Sequence, residues 1–413
     1  MITTTNIKAP FGSPLYVMVK PVGAFCNLAC SYCYYLEKSV LYPQNEGRTM
    51  SDELLEMFVR QYIESQTQQE VLFTWHGGEP LLRPIAFYQR AMELQRRYAT
   101  GRQIDNCLQT NGTLLTDEWC EFFCENNFLI GISIDGPQEL HDAYRRNRQG
   151  QPSWKEVMRG IRLLQRYGVE WNAMATVNSH NVVDPVAFYR FFKELGCKYL
   201  QFTPVVERRV ERADGLQLAS GMTEGGELLS FSVAPDQWGN FLCQIYDEWV
   251  RCDVGEVFVQ LFDATLANWA GVTPGICSLS SLCGHAAVME YNGDVYPCDH
   301  FVYPEYLLGN IRQQTLTEMM YGDRQKAFGL RKRQLLPREC RECRFLFACH
   351  GECPKNRFVS DCYGEPRKNY LCEGYHRFFE HVAADMDFMR AELEAGRPPS
   401  NIMFRKGDYS KSR

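Results

Sequence analysis

The sequence lacks several features that would assign it to a common class of protein. It has no basic tract, and its formal net charge is −6, so we expect no nucleic-acid partner held through its phosphates. No apolar run approaches the roughly 20 residues of a membrane-spanning helix, so we expect no membrane partner either. The first residues, MITTTNIKAPFGSP, contain neither the basic nor the apolar region of a secretory signal. These absences predict a cytoplasmic protein.

Cysteine, in contrast, is abundant, with 18 in the 413 residues. A reducing cytoplasm keeps most thiols out of structural disulfides, so metal or cluster ligation is the leading interpretation. Isolated cysteines act instead as small buried hydrophobes. We expect that role for Cys107, Cys197, Cys243 and Cys252.

Strand-like and helix-like patterns alternate along the first half of the chain. The predicted strands are LYVMVKP, EVLFTWHGG, NCLQTNG, LIGISIDG, WNAMATVN and YLQFTPVV. In SDELLEMFVRQYIES, which lies between the first two, Ser51 is expected to cap a helix. Such alternation predicts a parallel sheet, and six units fall short of the eight that close a barrel. We therefore predict an α/β fold with a partial (β/α)6 TIM-like barrel.

Polar motifs follow the first four predicted strands at the point where each strand ends. A cysteine triplet follows the first, HGGEP the second, QTNG the third and SIDGP the fourth. Any one of them could be ordinary turn chemistry, because Asn-Gly and Asp-Gly are common turn dipeptides. Their shared position at the carboxyl ends of parallel strands, where such folds place their sites, predicts a functional site. His76, at the start of HGGEP, is expected to face a substrate there.

The triplet in GAFCNLACSYCYY consists of Cys26, Cys30 and Cys33. A structural zinc ion normally takes four protein ligands, and no fourth Cys or His lies near. A [4Fe–4S] cluster also prefers four thiolates, so three would leave one iron open to bind a reacting molecule. The alternative is three structural thiols.

The CxxxCxxC spacing of this triplet resembles the radical S-adenosylmethionine (SAM) enzymes. The resemblance implies that the open iron binds the amino and carboxylate groups of SAM, and that one electron cleaves SAM to a 5′-deoxyadenosyl radical. The family's GGEP motif is matched by residues 77–80 and presents backbone polar atoms to SAM. By resemblance, the residues that bind SAM are Tyr32, Gly78, Glu79, Ser133, Arg145 and Val206.

The second half of the chain carries eight further cysteines in a pattern that resembles the SPASM auxiliary-cluster domain. The resemblance implies one [4Fe–4S] cluster on Cys277, Cys283, Cys298 and Cys353, and another on Cys340, Cys343, Cys349 and Cys372. With the triplet, this makes three clusters. Cys362 competes with Cys372 for the last position, and spacing favours Cys372. Two zinc sites are the alternative, because paired cysteines are also typical of zinc ribbons.

Asp299 directly follows Cys298 in YPCDHF, and it could simply cap a turn. The motifs CNLxCxYCxY, GGEP, LQTNGTL, SxDGP and YPCD together resemble the anaerobic sulfatase-maturating enzymes over nearly the whole chain. In that family the aspartate at this place is the general base. The resemblance implies a sulfatase polypeptide substrate with a CxAxR- or SxAxR-like motif, whose Cys or Ser is oxidised at Cβ to Cα-formylglycine without oxygen. It also implies an external one-electron donor.

The sequence is also compatible with two alternative functions. One is another SPASM peptide-modifying maturase that forms thioethers or crosslinks, and the other is a zinc protein without catalytic activity. The predicted organisation is a radical SAM barrel over 1–235, a helical connection over 236–270, the SPASM domain over 271–376, and a C-terminal helix and tail over 377–413.

Overall fold

The computed structural model describes residues 15–42, 49–212, 215–219, 223 and 225–407 of the chain. The strands are β1 (Tyr16–Val19), β2 (Glu70–Trp75), β3 (Gln103–Thr110), β4 (Phe128–Ser133), β5 (Trp171–Val177), β6 (Tyr199–Pro204), β7 (Arg208–Arg209), β8 (Glu227–Leu228), β9 (Phe258–Val259), β10 (Ala286–Met289), β11 (Asp294–Tyr296), β12 (Gly309–Asn310), β13 (Arg357–Val359) and β14 (Lys368–Asn369). Among these described residues, no helix combines the length and the hydropathy needed to cross a bilayer.

The α-helices alternate with strands in the first half and predominate in the last third of the chain. They are α1 (Tyr35–Lys38), α2 (Asp52–Glu64), α3 (Ile85–Tyr98), α4 (Asp117–Glu125), α5 (Gln138–Tyr144), α6 (Trp154–Tyr167), α7 (Pro185–Glu194), α8 (Pro235–Cys252), α9 (Gln260–Trp269), α10 (Leu316–Met320), α11 (Asp323–Gln334), α12 (Arg338–Glu342), α13 (Leu346–Cys349), α14 (Cys372–Glu394) and α15 (Ile402–Gly407).

The six predicted strands form β1 to β6, which pair in sequence order and run parallel throughout. The helices that connect them supply apolar faces to the sheet. In α2, Ser51 accepts a hydrogen bond from the Leu54 N–H as predicted, and Phe58 packs edge-on against Phe73 of β2 with ring centroids 5.9 Å apart. Burial of each such side chain contributes about 1.5–3 kcal/mol. The partial barrel predicted from the sequence is thus confirmed.

The cysteine-rich half extends the same sheet beyond β1. Strand β10 pairs parallel with β1, and the antiparallel strands β11 and β12 continue outward from it. The register places Val19 opposite Met289, so Lys20 and Glu290 leave adjacent strands side by side. At the other end of the sheet, β9 pairs with β6. The segment that contains Cys298 and Asp299 follows the β10–β11 hairpin, and Asp299 reaches Lys20, the residue directly after β1, at 2.6 Å.

Helices α8 and α9 occupy the predicted helical connection, with the two-residue strand β9 between them. The C-terminal helix α14 begins at Cys372, five residues before the predicted start of the last segment at 377. It packs against α8 so closely that a Cβ atom on Gly239 would lie 2.8 Å from the Cα of Gly374. The divisions of the chain proposed from sequence otherwise stay predictions.

Candidate active site

Cys26, Cys30 and Cys33 lie in the loop between β1 and α1. The Leu28 N–H and the Asn111 side-chain amide donate to Cys26 Sγ at 3.3 and 3.6 Å. Burial raises the pKa of Cys26 and Cys33 to about 12, and the charge of Cys30 adds to both shifts. Thiols with raised pKa values ionise only at a cost in free energy. Ligation to iron offsets that cost because a metal ion stabilises the thiolate.

The GGEP segment packs directly on this loop. The Gly78 N–H donates to Gly23 O at 2.8 Å, and a Cβ on Gly78 would lie 2.0 Å from Phe25 O. The Glu79 carboxylate accepts from the Leu81 N–H, the Thr110 hydroxyl and the Asn111 N–H at 3.0, 2.7 and 2.8 Å. Its pKa is raised to about 7, by burial. The carboxylate thus ties two loops together. The contact of the Glu79 backbone with SAM stays a prediction.

Arg145 and Tyr32 converge on Asp135, a buried carboxylate just after β4 that belongs to the SIDGP motif but received no role from the sequence. Arg145 Nε lies 2.9 Å from Asp135 Oδ2, the Tyr32 hydroxyl donates to the same oxygen, and Asp135 Oδ1 accepts from the Thr176 N–H at 2.8 Å. The arginine also lies 5.6 Å from the centroid of the Tyr32 ring. Asp135 therefore fixes the orientation of two predicted SAM contacts.

The remaining two predicted SAM contacts lie at the ends of β4 and β6. The Ser133 hydroxyl accepts from the Gln109 side-chain amide at 3.1 Å. Val206 is buried, and its carbonyl accepts from Lys355 Nζ at 3.0 Å. Since β1 to β6 are parallel, both residues lie at the same mouth of the barrel as the cysteine triplet.

Asp299 lies at this mouth within a buried polar network. Lys20 Nζ is 2.6 Å from Asp299 Oδ1 and 2.9 Å from Glu290 Oε1. The hydroxyls of Tyr34 and Tyr35 both donate to Asp299 Oδ2, the former at 2.5 Å. Burial acts to raise the pKa of Asp299, but the charge of Lys20 outweighs it and holds the pKa well below its usual value. Asp299 is therefore ionised at neutral pH.

His76 extends this network toward the GGEP segment. Its Nδ1 accepts from the Gly77 N–H at 2.7 Å and lies 3.2 Å from the Tyr35 hydroxyl. Burial lowers the pKa of His76 to about 4. The charge of Asp299 opposes this shift, and the charge of Lys20 adds to it. The imidazole is thus neutral near pH 7, and Nδ1 is its accepting nitrogen.

The thiols of the first predicted quartet interact with one another. Burial raises the pKa of Cys298, and Cys277, Cys353 and Cys283, in that order, raise it further. Cys353 is affected by Cys283 and Cys277 in the same way. Because Cys298 precedes Asp299, this quartet borders the polar network.

The second predicted quartet surrounds one cavity of about 480 Å³. Cys340, Cys343, Cys349 and Cys372 all line it, and Cys362 is not among its lining residues. Cys362 is exposed, and its N–H donates to Glu339 at 2.9 Å.

Zinc is the alternative occupant of both quartets. In the part of the chain that the structure describes, no three His, Cys, Asp or Glu side chains converge as ligands of a single metal ion. A four-iron cluster takes one thiolate at each of four separate iron atoms, so it requires no such convergence. The donor sets of the quartets and the triplet fit [4Fe–4S] clusters.

Comparison with known proteins gives this geometry a context. The Radical SAM superfamily matches residues 21–192, and the SPASM iron–sulfur cluster-binding domain matches residues 282–344. A serine-type anaerobic sulfatase-maturating enzyme of Bacteroides thetaiotaomicron is 64% identical over 397 residues, which are 96% of each chain. This chain belongs to the anaerobic sulfatase-maturating enzymes.

More distant members of the anaerobic sulfatase-maturating enzymes match over most of the chain as well. A cysteine-type enzyme of Clostridium perfringens is 32% identical over 372 residues, which are 89% of this chain and 96% of that one. A solved structure described as native anSMEcpe with bound AdoMet and Cp18Cys peptide shares 30% identity at a TM-score of 0.80, and the match covers 92% of this chain and all of that one.

As a member of the anaerobic sulfatase-maturating enzymes, the protein is a radical SAM oxidoreductase that uses SAM and [4Fe–4S] clusters. The family, the fold class and these cofactors are confirmed. The number of clusters and the role of each residue stay predictions. Sequence reasoning assigned no role to Lys20, Tyr34, Tyr35 and Glu290, although Tyr35 ends the CNLxCxYCxY motif and a lysine directly after an apolar strand was a usable signal.

Proposed function

We propose that the protein oxidises a serine side chain in a sulfatase polypeptide to Cα-formylglycine without oxygen. The observation that carries this proposal is the position of Asp299, which lies between the first thiol quartet and the tyrosines that follow the cysteine triplet. Serine rather than cysteine is favoured because the relative at 64% identity is of the serine type, whereas the relative at 32% is of the cysteine type.

The cofactor ligands are proposed from the donor sets described above. Cys26, Cys30 and Cys33 hold the cluster that binds SAM, and the two quartets hold the auxiliary clusters. SAM is held by Tyr32, Ser133, Arg145, Val206 and the backbone of Gly78 and Glu79. When bound, these groups supply a radical that takes a hydrogen atom from the serine Cβ and an acceptor for one electron.

Asp299 accepts the hydroxyl proton in this scheme. Oxidation of –CH2OH to –CHO removes two protons and two electrons. The hydrogen atom taken from Cβ accounts for one proton and one electron. The hydroxyl proton and one electron remain, and they leave separately. The carboxylate of Asp299, whose side chain is 13% exposed, is ionised at neutral pH, and Lys20, Tyr34 and Tyr35 fix both of its oxygens. Such preorganisation suits a general base, which acts within hydrogen-bond reach of its proton.

Two partners follow from this chemistry. The substrate is a sulfatase polypeptide with an SxAxR-like motif. The second partner is an external one-electron donor, because each SAM cleavage consumes one electron that the peptide does not supply at the start of the reaction.

The test is anaerobic incubation with SAM, a reductant and paired Ser- and Cys-containing sulfatase peptides. Aldehyde is read by mass spectrometry and 5′-deoxyadenosine by chromatography. In Asp299→Asn, aldehyde should fall by about 100- to 10,000-fold, while 5′-deoxyadenosine continues to form. Asp294→Asn, on the same hairpin but bonded to Asn292 and Asn310, is the matched control and should retain aldehyde formation.

Three outcomes count against parts of the proposal. Equal aldehyde yields in Asp299→Asn and wild type would assign the proton to another group. Aldehyde from the Cys peptide alone would contradict serine specificity. A thioether or crosslink in place of aldehyde would move the protein to another class of peptide maturase.

A further inference from the structure

The segment between Cys349 and Cys353 joins the two thiol quartets, since Cys349 belongs to the second and Cys353 to the first. His350, Gly351 and Glu352 between them all adopt left-handed backbone, with φ of 49°, 71° and 51°. For the two residues that are not glycine this costs about 1–2 kcal/mol each. Such backbone persists only where its surroundings impose it.

Arg357 imposes this conformation. Its guanidinium donates to the carbonyls of His350, Gly351 and Glu352 at 2.9, 2.8 and 3.0 Å, and to that of Lys332 at 2.6 Å. The side chain is 6% exposed. Three of its carbonyl partners lie on the joining segment itself, so the positive charge sits beside the chain that connects the two quartets.

Electrostatic interactions of Arg357 reach thiols of both quartets. Burial lowers the pKa of Arg357, and Cys283 and Cys353 of the first quartet and Cys340 and Cys349 of the second oppose that shift. Four carbonyl hydrogen bonds would be enough for a purely structural role. A cation buried within reach of two thiols from each quartet has an electrostatic effect in addition.

Lys332 is a second buried cation in this region. It is 1% exposed, and its Nζ donates to the carbonyls of Cys277 and Ser278 at 2.8 and 2.7 Å. Lys332 therefore lies against the first quartet alone. The carboxylate of Glu352 accepts from the Asn369 side chain at 2.7 Å. Burial raises the pKa of Glu352, and the charges of Lys332 and Arg357 oppose that shift.

We propose that Arg357 is a shared tuning residue that raises the reduction potentials of both auxiliary clusters, whereas Lys332 raises that of one. The inference rests on the assignment of the two quartets in the proposed function. Four thiolates give each cluster a net negative charge, and reduction adds one electron. A buried cation favours the more negative state, and low local dielectric strengthens the effect.

The test is an anaerobic redox titration with dithionite in a background in which Cys26, Cys30 and Cys33 are replaced by Ala, so that only the auxiliary clusters hold iron. In this background, Arg357→Gln should lower both midpoint potentials by at least about 59 mV each. This shift corresponds to a tenfold fall in the equilibrium constant for one-electron reduction. Lys332→Gln should lower one midpoint and leave the other nearly unchanged. Arg357→Lys, which keeps the charge but loses the planar fork, should remain close to the parent.

Arg341→Gln is the matched control, because Arg341 directly follows Cys340 in sequence but is exposed, paired with Glu365 and not among the residues that line the cavity of the second quartet. Its midpoints should not move. Equal shifts in Arg357→Lys and Arg357→Gln would overturn the proposal in favour of a structural role, as would an unmoved pair of midpoints in Arg357→Gln. If Arg357→Gln incorporates fewer than two clusters, Lys332→Gln becomes the deciding variant. Unchanged midpoint potentials in Lys332→Gln would then overturn the proposal. Iron content is measured separately, and a parent without two clusters would instead refute the quartet assignment.

Discussion

Lys20 is the residue whose removal should disturb the active site most directly. Its side chain is fully buried, and its ammonium contacts the carboxylates of Asp299 and Glu290 at 2.6 and 2.9 Å. Lys20→Met keeps most of the apolar stem but leaves the buried carboxylate of Glu290 and the 13%-exposed carboxylate of Asp299 without their cation. Breaking a buried ion pair by removal of one partner costs about 3–5 kcal/mol.

This cost can be converted into a change in melting temperature. An unfolding entropy of about 2.1 cal/mol/K per residue over 413 residues gives about 0.9 kcal/mol/K, so the melting temperature should fall by about 3–6 °C. The assay is anaerobic calorimetry of the cluster-loaded protein. Lys326→Met is the control, because Lys326 is one-third exposed and its partner Asp323 is fully exposed, and pairs of exposed charges contribute little to stability.

A double variant tests whether the unpaired carboxylates cause the loss of stability. Glu290→Gln removes one of the two orphaned carboxylates, so Lys20→Met/Glu290→Gln should melt above Lys20→Met. Burial already raises the pKa of Glu290 against the opposing charge of Lys20. Without Lys20 the folded state binds a proton that the unfolded state releases, so the stability of Lys20→Met should fall as pH rises above about 4.3. A single variant that melts like wild type, or a double variant no better than the single, would refute this account.

Three further predictions concern the clusters and the loop that packs on them. Reconstituted protein should contain about 12 iron and 12 sulfide per chain, and about 4 iron with zinc in place of the rest would contradict the quartet assignment. Cys372→Ala should lose one cluster by iron analysis whereas Cys362→Ala keeps all of them, and the reverse result would exchange the two ligands. Gly78→Ala should cost about 3 kcal/mol or more in a calorimetric melt, because its Cβ would lie 2.0 Å from Phe25 O; a melt like that of wild type would show that the two loops can separate.

The predictions that rest on local spacing needed little more than the sequence. The strands were recognisable from their apolar runs, and each of the six appears in the sheet. The cysteine triplet spans only residues 26–33, so one loop can bring its thiols together whatever the rest of the chain does. The motifs after the strands share one end of the sheet because parallel strands all present their carboxyl ends there.

The polar network around Asp299 could not be read in this way. Lys20 and Glu290 are 270 residues apart, and they meet because β10 pairs with β1 in one register. A shift of β10 by one residue against β1 would turn the Glu290 side chain to the opposite face from Lys20. No pattern within either segment specifies this pairing.

Sequence alone therefore determined which residue types are available and where the loops begin, because turn chemistry and strand periodicity act over a few residues. Tertiary structure decided that Cys372 lines the same cavity as Cys340, Cys343 and Cys349 whereas Cys362 does not, and that Arg357 hydrogen-bonds the segment between Cys349 and Cys353. These outcomes depend on which distant surfaces pack together, and only the folded chain brings such surfaces into contact.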